Sequence, residues 1–135
     1  MQSKLNIRLA AVAGALCAVG VLALAGCRSQ RAADADPAKA RDALAAGLDA
    51  WKRGEGPEAL ARQSPAIYFH DRDWRDGQKL LEFRLAGEPT PFGYGVQYTA
   101  ILGLQDKDGR KHSKSVIYVI NTDSAISIAR HDVDS

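Results

Sequence analysis

Residues 9–26 form a run of apolar and small positions without a single charge, and beyond residue 36 the apolar positions adopt first a helical and then a strand period. From Pro37 onward Ala40, Leu44, Leu48 and Trp51 recur at steps of four, four and three, while Lys39, Arg41, Asp42, Asp49 and Lys52 fall mostly elsewhere. This spacing predicts an amphipathic helix from Pro37 to about Arg53. Asp36 supplies an N-cap, Pro37 a first helical residue with no N–H to satisfy, and Gly54 a left-handed stop. Gly47 weakens such a helix by roughly 1 kcal/mol relative to Ala, so a close neighbour is expected against it. Gly56-Pro57 opens a second, short helix to about Gln63, with Leu60 inward.

From Ser64 the period shortens to two. Ile67-Tyr68-Phe69 reads as a short strand, followed by a polar turn from His70 to Gly77 around Trp74. Leu81, Phe83 and Leu85 alternate with Glu82 and Arg84, which predicts a strand with one wet face. Residues 87–93, interrupted by Pro89 and Pro91, read as a loop. Tyr94, Val96, Tyr98, Ala100, Leu102 and Leu104 share one face of a long strand, and Asp106-Lys107-Asp108-Gly109 is a hairpin signal, because Asp-Gly accepts the positive φ of a tight turn. Val116, Tyr118 and Ile120 continue the core face, Asn121 to Ser124 turns the chain, and Ile126 and Ile128 mark a last strand. The pattern predicts one α+β domain over residues 37–131: an N-terminal helix and a short second helix packed on a curved antiparallel sheet of four to five strands.

Charge changes the picture at the N-terminus. The whole chain carries 18 basic and 16 acidic side chains, a net +2, and Lys4 and Arg8 alone account for the excess. A chain cut before Cys27 is formally neutral, which argues against a nucleic-acid partner, since that affinity rests on surplus Lys and Arg facing phosphates. Lys4 and Arg8 followed by the uncharged run read as a secretory signal over residues 1–26. Its end, Leu24-Ala25-Gly26-Cys27, resembles the lipobox of bacterial lipoproteins.

That resemblance implies recognition of Leu24, Ala25 and Gly26 by a lipoprotein-processing peptidase, and Cys27 as the lipidated new N-terminus. Each buried acyl CH₂ contributes about 0.8 kcal/mol, so two or three chains hold a protein firmly on a membrane. Residues 27–36 are then a polar tether, and Arg28 in place of Asp favours the outer membrane where a bacterium has one. An uncleaved anchor helix and an ordinary cleavage site after Ala23 or Ala25 are the alternatives, the latter leaving Cys27 unexplained. Cys17 lies within the leader, so the mature chain has no second thiol for a disulfide.

In element order the domain is similar to the cystatin-like cone, including the nuclear transport factor two-like superfamily. Trp51, Gly54, Pro57, Asp73, Trp74 and Gly77 resemble small exported bacterial domains without an assigned activity, and no catalytic residue is carried over from them. The sharpest candidate chemistry is His70-Asp71-Arg72-Asp73, echoed by His131-Asp132-Val133-Asp134. His70 with Asp71 or Asp73 suits acid/base work, and the two motifs together offer metal ligands, although they lack a paired-His helix or Cys framework. Neither a metal nor a cofactor is expected. Trp51 reads as core and Trp74 as either sheet-edge packing or a partner surface. Lys107, Arg110, Lys111 and Lys114, interleaved with Asp106 and Asp108, read as a solvated hairpin tip. A Gly-rich phosphate loop, a nucleophile elbow and a Cys-metal pattern are all missing.

The expected function is a non-catalytic binding or envelope-interaction module, with the membrane and an envelope protein as partners. The alternative is a small-molecule-binding enzyme using His70 with Asp71 or Asp73.

Overall fold

The computed structural model describes residues 35–132. The leader, the lipobox with Cys27 and most of the tether lie outside these residues. Helix α1 (Pro37–Lys52) starts where Asp36 accepts from the Ala38 N–H and ends two residues before Gly54, which takes the left-handed φ expected of the stop. It buries Ala40, Ala43, Leu44, Gly47, Leu48, Ala50 and Trp51, so the expected stripe is present and broader. Ala35, near the end of the tether expected over residues 27–36, is itself buried against the core. Helix α2 (Pro57–Ala61) follows, with Leu60 inward.

The strands are β1 (Ile67–His70), β2 (Lys79–Phe92), β3 (Gly95–Gln105), β4 (Lys111–Asn121) and β5 (Ile126–His131), with a one-turn helix α3 (Arg72–Arg75) after β1. They form one sheet in the order β1-β5-β4-β3-β2. Strands β2 to β5 are a meander with antiparallel neighbours, as the pattern predicts, but β1 lies parallel to β5, with Ile67 opposite Ile126 and His70 opposite Ala129. The sheet is therefore mixed and not wholly antiparallel. Hairpins oblige β2 to β5 to alternate in direction, whereas β1 is separated from them by α3 and is free to add to the open edge of β5 in either sense.

Two further differences have local causes. The residues read as a loop at 87–93 belong mostly to β2, where Thr90, Pro91 and Phe92 pair with Gln97, Val96 and Gly95. Both prolines are accommodated because β2 is an edge strand, and the pairing register slips between Ala86 and Thr90. A second slip between Leu80 and Glu82 turns Leu80 inward and Leu81 outward, so Leu81 does not share the core face with Phe83 and Leu85. The polar turn after His70 contains α3, capped by the Asp71 side chain. Tyr94 sits in the β2–β3 turn, outside the buried row Val96, Tyr98, Ala100, Leu102 and Leu104.

Helix α1 covers the inner face of the sheet, and the core between them contains Leu44, Leu48, Leu60, Leu102, Leu104, Tyr118, Ile120 and Ile128 with almost no exposure. Gly47 faces the Phe69 ring, and a Cβ there would overlap its Cδ2 and Cε2 atoms. We expect Gly47→Ala to destabilise the domain, because overpacking costs about 1–3 kcal/mol and outweighs the roughly 1 kcal/mol of helix propensity gained. Urea denaturation measures this; an unchanged or raised midpoint would contradict the close packing.

Candidate functional site

Strand alternation decides where the candidate residues go. In β1, Ile67 and Phe69 point inward, so Tyr68 and His70 are exposed on the outer face. Asp71 follows as the N-cap of α3 and Asp73 lies within that helix, and both are buried. The parallel pairing of β1 with β5 brings the two His-Asp motifs side by side, and Arg72 reaches Asp132 at 3.8 Å. It does not assemble them into one site: His131 meets the Phe92 ring, with centroids 4.9 Å apart, while Asp71 and Asp73 turn toward the inner face. Asp134 lies outside the described residues, among which no group of three His, Cys, Asp or Glu is placed to hold a metal ion.

The two buried carboxylates are met by side chains from β4 and β5. Asp71 Oδ1 accepts from the Trp74 N–H at 3.1 Å, and Oδ2 accepts from the Tyr118 hydroxyl at 2.6 Å. Asp73 Oδ1 accepts from Gln78 Nε2 at 3.1 Å, and Oδ2 receives both Arg130 Nη1 at 2.6 Å and Lys114 Nζ at 2.9 Å. The Arg130 side chain is only 7% exposed; its Nη1 lies 3.8 Å from Asp71, and its Nε lies 3.0 Å from Asp132. All four carboxylate oxygens are thus engaged by partners within the domain, and both side chains are buried.

Electrostatics follow this wiring. Burial opposes ionisation of Asp73, but the hydrogen bonds from Lys114 and Arg130 outweigh it and hold the carboxyl below its ordinary range. Burial, reinforced by the facing Asp71 carboxylate, pushes the Tyr118 phenol well above its ordinary value. Burial acts against the Arg130 charge, yet Asp73, Asp71 and Asp132 together raise its affinity for the proton.

The aromatic residues complete the structure beside this cluster. Trp51 and Trp74 stack with centroids 5.3 Å apart and planes within 5°. Trp51 Nε1 donates to the Gln78 carbonyl at 2.8 Å, and Trp74 Nε1 to the Glu55 carbonyl at 3.0 Å. Phe69 sets its ring edgewise to both Trp74 and Tyr118. Trp74 is therefore core packing, not a partner surface. Of the basic hairpin residues, Arg110 pairs with Asp106 and Asp108 at the tip, while Lys114 leaves that group for Asp73.

The outer face offers a different kind of site. An open groove of about 760 Å³ is lined by Phe92, Tyr94, Val119, Asn121, Asp123 and Ser127 among others. Tyr94 is 75% exposed and Phe92 42%. Sequence reasoning missed Lys114, Tyr118 and Arg130 as partners of the carboxylates, although each occupies an inner-face parity: 114, 116, 118 and 120 in β4, and 126, 128 and 130 in β5. It also missed Phe92, which it placed in a loop. Comparison with protein-family models, curated proteins and solved structures gives no match for this chain.

Removing Arg130 alone strands buried negative charge, and we expect Arg130→Met to cost about 3–5 kcal/mol in urea denaturation, against about 1 kcal/mol or less for Lys114→Met, whose side chain is 35% exposed. Equal losses would contradict the assignment of Arg130 as the central cation. The pH dependence has a defined sign. With its folded pKa depressed, Asp73 adds stability that is fully present above the unfolded carboxylate pKa of about 3.9 and is lost as pH falls through the folded value. Asp73→Asn is expected to flatten the acid limb of a stability-against-pH curve; parallel curves would count against the ion pairs.

Proposed function

We propose that the protein is a lipid-anchored bacterial envelope lipoprotein whose domain is a non-catalytic binding or envelope-interaction module. The anchor rests on the leader and on Leu24-Ala25-Gly26-Cys27, with Lys4 and Arg8 ahead of an uncharged run. Among the described residues no helix is long and apolar enough to cross a membrane. Arg28 after Cys27 favours the outer membrane where there is one.

The observation that supports the non-catalytic reading is the burial of Asp71 and Asp73 and the engagement of every carboxylate oxygen by Tyr118, Gln78, Lys114, Arg130 or the Trp74 N–H. The enzyme alternative on a nuclear transport factor two-like cone needs His70 and one of these carboxylates to converge on a pocket between helix and sheet. His70 is instead exposed on the outer side of β1, and the inner face is occupied by apolar side chains and by this ion cluster. The larger exposed aromatic side chains, Tyr68, Phe92 and Tyr94, lie outside the core, where an interaction module presents its contacts.

The test of the anchor is the distribution of Cys27→Ala between membrane and soluble fractions. Wild-type protein is expected to stay with membranes through a carbonate wash and the variant to leave them. Retention of the variant would remove the lipid as the means of attachment.

A further inference from the structure

The two ends of the domain differ in chemistry. At one end the β3–β4 turn carries Asp106, Lys107, Asp108, Arg110 and Lys111, and the C-terminus of α1 adds Lys52 and Arg53 close to where β2 begins, since Trp51 bonds to Gln78. At the other end the β2–β3 turn holds Phe92, Gly93 and Tyr94, inside a stretch from Pro89 to Gln105 without one charged residue. Gly93 has φ +57, and this left-handed turn leaves the Tyr94 side chain standing out from the sheet.

The chain enters the domain at this same end, where the start of α1 adds Asp36, Lys39, Arg41 and Asp42 and β2 adds Glu88 around the aromatic turn. The Tyr98 hydroxyl, four residues beyond Tyr94, donates to the Pro37 carbonyl at 2.7 Å. Lys39 Nζ reaches the Thr122 carbonyl at 3.5 Å, in the same β4–β5 turn whose Asn121 and Asp123 line the groove with Phe92 and Tyr94. The first turn of α1 and the aromatic tip therefore share one pole. From Ala35 back to Cys27 is a stretch of eight residues, whose full extension of about 28 Å places the domain's entry point at this pole within that distance of whatever holds Cys27.

We infer that Phe92 and Tyr94 form a membrane-docking tip that seats this pole in the headgroup region of the bilayer to which Cys27 is anchored. The inference rests on the lipid-anchor reading and names the bilayer as the partner of the exposed aromatic turn. Tyr and Phe side chains suit this depth, because an apolar ring and, for Tyr, a polar tip match the boundary between acyl chains and water. Lys39, bonded to the Thr122 carbonyl, and Asp123 lie together at the β4–β5 turn beside the groove, a cation that can meet lipid phosphate next to an anion that limits insertion to the aromatic turn itself. The anchor supplies the affinity, and the tip fixes the orientation, so that the charged β3–β4 end faces away from the membrane.

The test uses the full, lipidated chain reconstituted into vesicles of phosphatidylethanolamine and phosphatidylglycerol, with Tyr94→Trp as reporter and Lys107→Trp as the opposite-pole control. Brominated acyl chains are expected to remove about half of the added Tyr94→Trp emission and about a tenth or less at Lys107→Trp. Equal quenching at both sites, or none at Tyr94→Trp while the protein still floats with the vesicles, would overturn docking and leave the anchor intact. Protection of Tyr94→Trp only in native membranes, and not in vesicles, would overturn it in favour of a protein occupant. Mass spectrometry of the same sample reports Cys27: an unmodified thiol would overturn both readings, which separates the two failures.

Discussion

Two carboxylates taken out of water impose the constraint on which this domain depends. Asp71 and Asp73 sit two residues apart, at the N-cap and in the single turn of α3, both buried, and an isolated buried charge is far too costly for a domain of this size to tolerate. The compensation comes from the sheet: Tyr118 and Lys114 from β4, and Arg130 from β5. Because these partners reach the two carboxylates from two neighbouring strands, satisfying the charges also fixes where α3 lies on the sheet.

The rest of the packing follows from that placement. With α3 held in place, Trp74 stacks on Trp51 and ties the α1–α2 loop through the Glu55 carbonyl, while Trp51 ties the start of β2 through Gln78. Phe69 then lies between Gly47 of α1 and the rings of Trp74 and Tyr118, which is why that helix position has no side chain. The polar residues that resembled catalytic groups in the sequence serve as the joint between helix layer and sheet. The molecule's free chemistry is displaced to the outside, to the aromatic turn and the groove beside it.

Much of this was legible in the sequence, and the illegible part has a physical reason. The α1 stripe, its Asp36-Pro37 start, the small Gly47 and the core parity of β3 and β4 follow from short-range periodicity and local chemistry. The direction of β1 is not local, since its partner β5 begins nearly sixty residues later and no hairpin links them. The charged partners of Asp73 lie 41 and 57 residues away, so Lys114 reads naturally with its sequence neighbours Arg110 and Lys111. A signal was nevertheless present: Lys114 and Arg130 are cations on the buried parity of their strands, and a charge there calls for a buried counter-charge. The one-residue slip in β2 hid Leu80, because such a slip exchanges inward and outward positions, and Pro89 and Pro91 hid Phe92 by making its stretch read as a loop.

The account stands on Asp73 being an ionised structural anion and not a proton donor or acceptor. Its own titration tests this most directly, followed through the carboxyl carbon by NMR in the intact protein from neutral pH downward. The account requires the Asp73 resonance to remain that of a carboxylate until below the ordinary carboxylate range, with the fold beginning to loosen as it protonates. A carboxyl that titrates above that range, in a domain that stays folded throughout, would contradict the structural role and return the residue to candidate acid/base chemistry.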